Sequence, residues 1–239
     1  MRLFLMLCWL TIPLLAWAYH IGPGQQQMEV DDAHRQVILA QELESQEDDA
    51  SAVKAYSDAL SQLDMSDQSE QIRVRKFETR LAMAKAQMRS NQLPEARFAL
   101  QALLDELEDR DDIATKLIDD TRQSLASAQY YMTWLMRLEG LPELQWEPEI
   151  EASRQHFRVL AEKADSSDQQ VFTERRRDLE SAIQLARMDL ADLQALKIPS
   201  QCQSCCSGQC DKPSRKQSKK NEKKKAGANL GPLPDGSGS

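Results

Sequence analysis

Leu93-Pro94-Glu95-Ala96-Arg97-Phe98-Ala99-Leu100-Gln101-Ala102-Leu103-Leu104 carries the clearest helical pattern of the chain. Its proline stands where a helix begins, because the first helical residue has no partner for an N–H in any case. Ala96, Leu100, Leu103, Leu104 and Leu107 then recur at steps of three and four, the spacing of one helix face. A similar phrase comes earlier, Asp49-Ala50-Ser51-Ala52-Val53-Lys54-Ala55-Tyr56-Ser57-Asp58-Ala59-Leu60. Two such phrases point to a repeated helical hairpin.

The rest of the chain has the composition such a fold needs. Of 239 residues only 8 are Gly and 9 are Pro, and most of these lie near the two ends. The long middle is rich in Ala, Leu, Glu, Gln and Arg, all strong helix formers. Aromatic residues make up 5%, so Leu, Ala, Met and Ile must supply most of the core. No alternation of strand type occurs, and the expected class is all-α.

Helices are expected at about Met28 to Glu47, from Asp48 or Asp49 through Leu63, at Glu70 to Ser90, and from Pro94 to a charge cluster at Glu108 to Asp112. A long fifth helix covers Ile113 to Leu138. Gly140 to Pro148, with Trp146, reads as a loop, followed by helices at Glu149 to Ala164 and Gln169 to Lys197. The expected inward residues of the first helix are Ala33, Val37, Leu39, Ala40 and Leu43. Those of the seventh are Phe172, Leu179, Ile183, Ala186, Leu190 and Leu193.

The paired phrases resemble the tetratricopeptide repeat, clearest over residues 37–108. The resemblance rests on Leu39, Ala40 and Leu43 before Ala52, Tyr56 and Ala59, and on Met83 and Ala84 before Ala96, Leu100 and Leu103. It implies antiparallel hairpins stacked as a short solenoid, in which small residues let helices approach. A weaker third unit pairs Ala128 and Tyr131 with Ala152, Phe157 and Leu160. There are departures. Ala52 and Ala96 lie 44 residues apart, against ~34 in that family. Glu47 and Asn91 stand where the family often has a turn glycine, and its late proline is replaced by Asp64 and Glu108. An irregular helical bundle is the competing architecture.

Both ends differ from this body. Arg2, the apolar run Leu3 to Leu15 and the ending Ala16-Trp17-Ala18 match a secretory signal peptide of residues 1–18. An uncleaved anchor is the alternative. Residues 19–27 read as a loose segment, residues 28–198 as the helical domain and residues 199–239 as a disordered tail. From Ser200 onward eight Lys/Arg face three Asp/Glu, leaving a net −13 for the preceding 199 residues. An acidic body argues against nucleic-acid binding there, while the basic tail suits an anionic envelope surface. The expected location is exported: periplasmic, secreted or associated with the cell envelope.

Chemistry-bearing motifs are sparse. His20, His34 and His156 are scattered, and no phosphate loop, nucleophile elbow or zinc helix motif occurs. No enzyme activity, cofactor or small-molecule substrate is expected. Cys202, Cys205, Cys206 and Cys210 are four in an exported chain, which suits disulfides or crosslinks; a metal site is the alternative. Tyr130, Tyr131, Trp134 and Trp146 form either a packed core or an aromatic groove for a peptide. Arg175-Arg176-Arg177 is a basic run suited to an acidic segment or to a solvated face. The expected role is protein binding or scaffolding along a helical groove. A tail-driven role, with the cysteines binding metal or crosslinking chains and the body as spacer, is the alternative.

Overall fold

The computed structural model describes Thr11 and residues 23–65, 69–164 and 168–195. The expected signal segment, the tail and its four cysteines lie outside them. Among the described residues the chain is helical and holds no strand. The helices are α1 (Pro23–Ser45), α2 (Asp49–Met65), α3 (Glu70–Arg89), α4 (Leu93–Glu108), α5 (Thr115–Leu138), α6 (Glu143–Lys163), α7 (Gln169–Arg187) and α8 (Leu190–Ala195).

Three boundaries differ from those expected. The first helix begins at Pro23, so residues 23–27 are helical rather than loose. Proline at the first position and the glutamines after it are all compatible with a helix start. The loop expected up to Pro148 is instead the opening of α6, with Pro148 inside the helix. The missing N–H leaves the Leu144 carbonyl without its usual donor. That cost is contained because Leu144 is 83% exposed and water reaches it. Finally, the helix expected to reach Lys197 breaks at Met188 and Asp189. Met188 is extended, and the Asp189 carboxylate accepts from the Asp192 N–H at 2.7 Å, capping α8.

Three helix ends share one turn. α1 closes with Asp48 N–H donating to the Leu43 carbonyl at 2.9 Å, α3 with Gln92 to Gln87 at 3.2 Å, and α5 with Leu141 to Met136 at 3.0 Å. Each is the six-to-one bond that ends a helix through a left-handed residue. Those residues are Glu47 (φ 61°), Asn91 (φ 60°) and Gly140 (φ 76°). Glu47 and Asn91 thus adopt a left-handed backbone that glycine takes most readily. A new helix follows each turn, and α1–α2 and α5–α6 pack as helix pairs.

Two compact units divide between Met83 and Ala84, within α3. In the first, α1 packs on α2 through Ala33, Ala40, Ala52, Ala55 and Ala59, all buried. Small side chains allow the two backbones to approach, and Tyr56 fills the space that remains. Its hydroxyl donates to Glu44 Oε2 across the hairpin at 3.0 Å. Lys76 of α3 reaches Asp64 of α2 at 3.0 Å. Leu39, expected inward, is exposed on α1.

In the second unit α5 is central. α4 and α6 pack on it, α7 packs on α6, and α8 touches α5. The α4 stripe of Leu93, Ala96, Leu100, Leu103, Leu104 and Leu107 is wholly buried. Each such leucine contributes roughly 1.5–3 kcal/mol relative to an exposed one. Arg97 of α4 grips Glu149 of α6 with two hydrogen bonds, of 3.2 and 2.8 Å.

The turns give a direct test. A non-glycine left-handed residue is strained by about 1–2 kcal/mol. Glu47→Gly is expected to raise stability by up to about 1 kcal/mol, and Gly140→Ala to lower it by about 1 kcal/mol even though a Cβ there meets nothing within 4 Å. Urea unfolding of the two variants checks both signs.

Candidate functional site

The aromatic residues are brought together, but as core. Tyr130, Tyr131 and Trp134 on α5 are 3%, 1% and 1% exposed. The two tyrosine rings meet edge to face at 5.5 Å between centroids. This burial removes all three from any surface groove in the present conformation. Trp146 on α6 is half-buried, with the Arg137 guanidinium over its ring at 4.6 Å. Cys202, Cys205, Cys206 and Cys210 lie outside the described residues.

Arg137 does more than cover Trp146. Its guanidinium donates to the carbonyls of Leu185 and Met188 at the end of α7. Those oxygens lack helical donors once the chain leaves the helix, and a cation is favoured at that end of the helix dipole. Arg137 therefore fixes where α7 stops. Burial pulls its pKa below the ordinary arginine value, opposed by the carboxylates of Glu143 and Asp189.

The second polar link between α5 and α7 lies further up. Gln123 Nε2 donates to Asp178 Oδ2 at 2.6 Å, and Gln123 Oε1 accepts from Arg175. Asp178 is only 7% exposed. Burial, the dominant influence, raises its carboxyl to a pKa of about 6, while the Gln123 hydrogen bond and Arg175 oppose the rise. The buried line of α7 is thus Asp178, Ala182 and Leu185. It runs one position before the Leu179, Ile183 and Ala186 seam expected from apolar spacing. A charged residue at a seam position carries no sequence signal of burial, so hydropathy alone misses Asp178.

The opposite face of α7 is open. At 3.6 residues per turn, Phe172, Thr173, Arg176, Arg177 and Glu180 centre about half a turn away from that buried line. They line an open cleft of about 410 Å³. The Arg176 guanidinium stacks over Phe172 at 5.4 Å. Among the described residues neither Arg176 nor Arg177 is in an ion pair. The basic run is therefore divided: Arg175 is turned to Gln123, while Arg176 and Arg177 face the cleft. Two guanidiniums beside an aromatic ring suit a carboxylate flanked by an apolar side chain.

The histidines remain apart. His34 is exposed on α1, and His156 is half-buried on α6. Burial first, then Arg122, lowers the His156 pKa, against the pull of Glu108 and Asp105. Among the described residues no three His, Cys, Asp or Glu side chains are placed to hold a metal ion. Nor is any helix there long and apolar enough to cross a membrane. No protein-family model, curated protein or solved structure matches the chain.

The Arg137 link predicts a graded series. Arg137→Met keeps the apolar stem and leaves two carbonyls without a donor, an expected loss of about 2–4 kcal/mol. Arg137→Lys restores a single cationic donor and is expected to fall between Met and wild type. Urea unfolding followed by tryptophan fluorescence ranks the three.

Proposed function

We propose that the protein is an exported, non-catalytic docking scaffold whose helical hairpins, stacked in the manner of tetratricopeptide repeats, present the outer face of α7 to an acidic segment of a partner protein. The single observation that carries the docking site is the Phe172, Arg176 and Arg177 face, turned away from the packed line of its own helix. Here Phe172 supplies apolar contact area and the two arginines supply charge-assisted donors.

Three kinds of support converge on this reading. The helix-ending turns at Glu47, Asn91 and Gly140 recur before α2, α4 and α6, as a chain of hairpins requires. The Arg2-to-Ala18 segment has the pattern of an export signal. Glu180 at one end of the cleft disfavours uniformly anionic polymers and favours a ligand with a carboxylate at the Arg176 and Arg177 end only. Tyr130, Tyr131 and Trp134 are buried and form no part of this face.

Selection of a random peptide library on the mature chain tests the proposal. Enriched peptides are expected to carry Asp or Glu next to an apolar residue. Their binding should weaken as salt rises, since exposed charge pairs are screened. Arg176→Glu with Arg177→Glu is expected to reduce affinity about tenfold or more, equivalent to ~1.4 kcal/mol or more, in a chain that circular dichroism shows to be folded. Enrichment of peptides without carboxylates, or binding indifferent to the double charge reversal, would overturn it.

A further inference from the structure

α7 packs on α6 and is linked to α5 in two unlike ways. Its second half is anchored by Ala182 and Leu185 and by Arg137 on the terminal carbonyls. Its first half shows no fully buried apolar side chain: between Gln169 and Asp178 the one buried residue is Asp178 itself. What joins this half to α5 is the chain from Arg175 through Gln123 to Asp178. The cation is one amide removed from the carboxylate, so the buried carboxylate has a neutral donor as its hydrogen-bond partner. An ionised carboxylate in such a place is poorly solvated, whereas a neutral acid is accommodated.

We propose that the first half of α7, residues 169–178, is a proton-controlled arm that is held more firmly on α5 while the Asp178 carboxyl is neutral and is loosened when it ionises. The charged groups acting on Asp178 from α7 itself are Glu174, which favours the neutral acid, and Arg175 and Arg177, which favour the anion. From α5 the facing group is the uncharged Gln123. Among the described residues α6 supplies no charged group that acts on it. Thr173, Arg176 and Arg177 ride on this half, so the same proton governs how firmly the outer face is presented. The inference itself does not depend on what that face binds.

The direction follows from linkage. Closed, Asp178 keeps its proton up to a pH of about 6; released into water, it gives it up near the ordinary value of 3.8. Between those values closure takes up a proton, so rising pH weakens closure. The weakening is complete above about pH 6 and absent below 3.8. From these two values the opening constant of the arm rises about tenfold between pH 5 and pH 7.5.

Hydrogen exchange on the full mature chain reads this directly, with peptides covering residues 169–180 and correction for intrinsic rates at pH 5 and pH 7.5. The wild type is expected to show about a tenfold larger opening constant at the higher pH. Asp178→Asn, which keeps an acceptor for Gln123 and has no charge, is expected to show no change between the two. Equal opening constants in the wild type, or the same pH dependence in Asp178→Asn, would overturn the proposal. A carboxyl-carbon NMR titration of the wild type supplies an independent reading if the variant does not fold. An Asp178 midpoint near 6 supports the arm, and a midpoint near 4 rejects it.

Discussion

The second unit depends on burying one helix on nearly every side. From Ser124 to Tyr131 every residue of α5 is buried, and Thr133, Trp134 and Arg137 extend the buried region. A helix has one apolar stripe by default, so this degree of burial forces polar side chains inside as well. Three of the buried hydroxyls are handled locally, while that of Ser127 has no hydrogen-bond partner among the described residues. Thr121, Ser124 and Thr133 each donate to the carbonyl four residues earlier, at 2.8 to 2.9 Å. Such back-bonding satisfies the hydroxyl without a partner on another helix. Ser153 of α6 adds an interhelical bond to the Ala126 carbonyl at 2.7 Å.

The longer polar residues of α5 have a different task. Gln123 and Arg137 reach out of the core to the two halves of α7, and Arg122 reaches Glu108 and Asp119. Each contact serves a group that would otherwise be costly inside the protein: a carboxylate, a pair of open carbonyls, a guanidinium. The same contacts decide which way α7 is turned. With Asp178, Ala182 and Leu185 held inward, Arg176 and Arg177 are directed into the cleft. The proposed docking face is thus a consequence of how Gln123 and Arg137 of the central helix are partnered.

Much of the helical content was legible in the sequence, because Ala and Leu spacing is a local signal. The stripe from Leu93 to Leu107 is buried as its periodicity implies. The turn positions were legible through Glu47 and Asn91, which occupy the left-handed conformation of a glycine. The stacked arrangement of hairpins is a longer-range property and stays part of the proposal. Three features were not legible for physical reasons. Pro148 looks like a loop residue, yet it is tolerated where the carbonyl it deprives is exposed at Leu144. The end of α7 depends on Arg137, 48 residues earlier, which no local pattern reports. The inward line of α7 contains a carboxylate, so hydropathy placed the seam one residue late.

The candidate site shows the same division. The sequence marked four aromatic residues and a basic run without deciding which faced a partner. Burial withdrew Tyr130, Tyr131 and Trp134, and the orientation of α7 separated Arg175 from Arg176 and Arg177. All of this follows from α5 being enclosed, and thiol accessibility tests that enclosure most directly. Ser127→Cys on α5 and Thr173→Cys on α7 differ little in volume from the native residues, and Ser127 is 0% exposed. Labelling located by mass spectrometry is expected to be about 100-fold slower or more at position 127 than at 173, equivalent to ~2.7 kcal/mol or more for opening the core. Labelling of both cysteines at similar rates, in variants that unfold as the wild type does, would contradict the account.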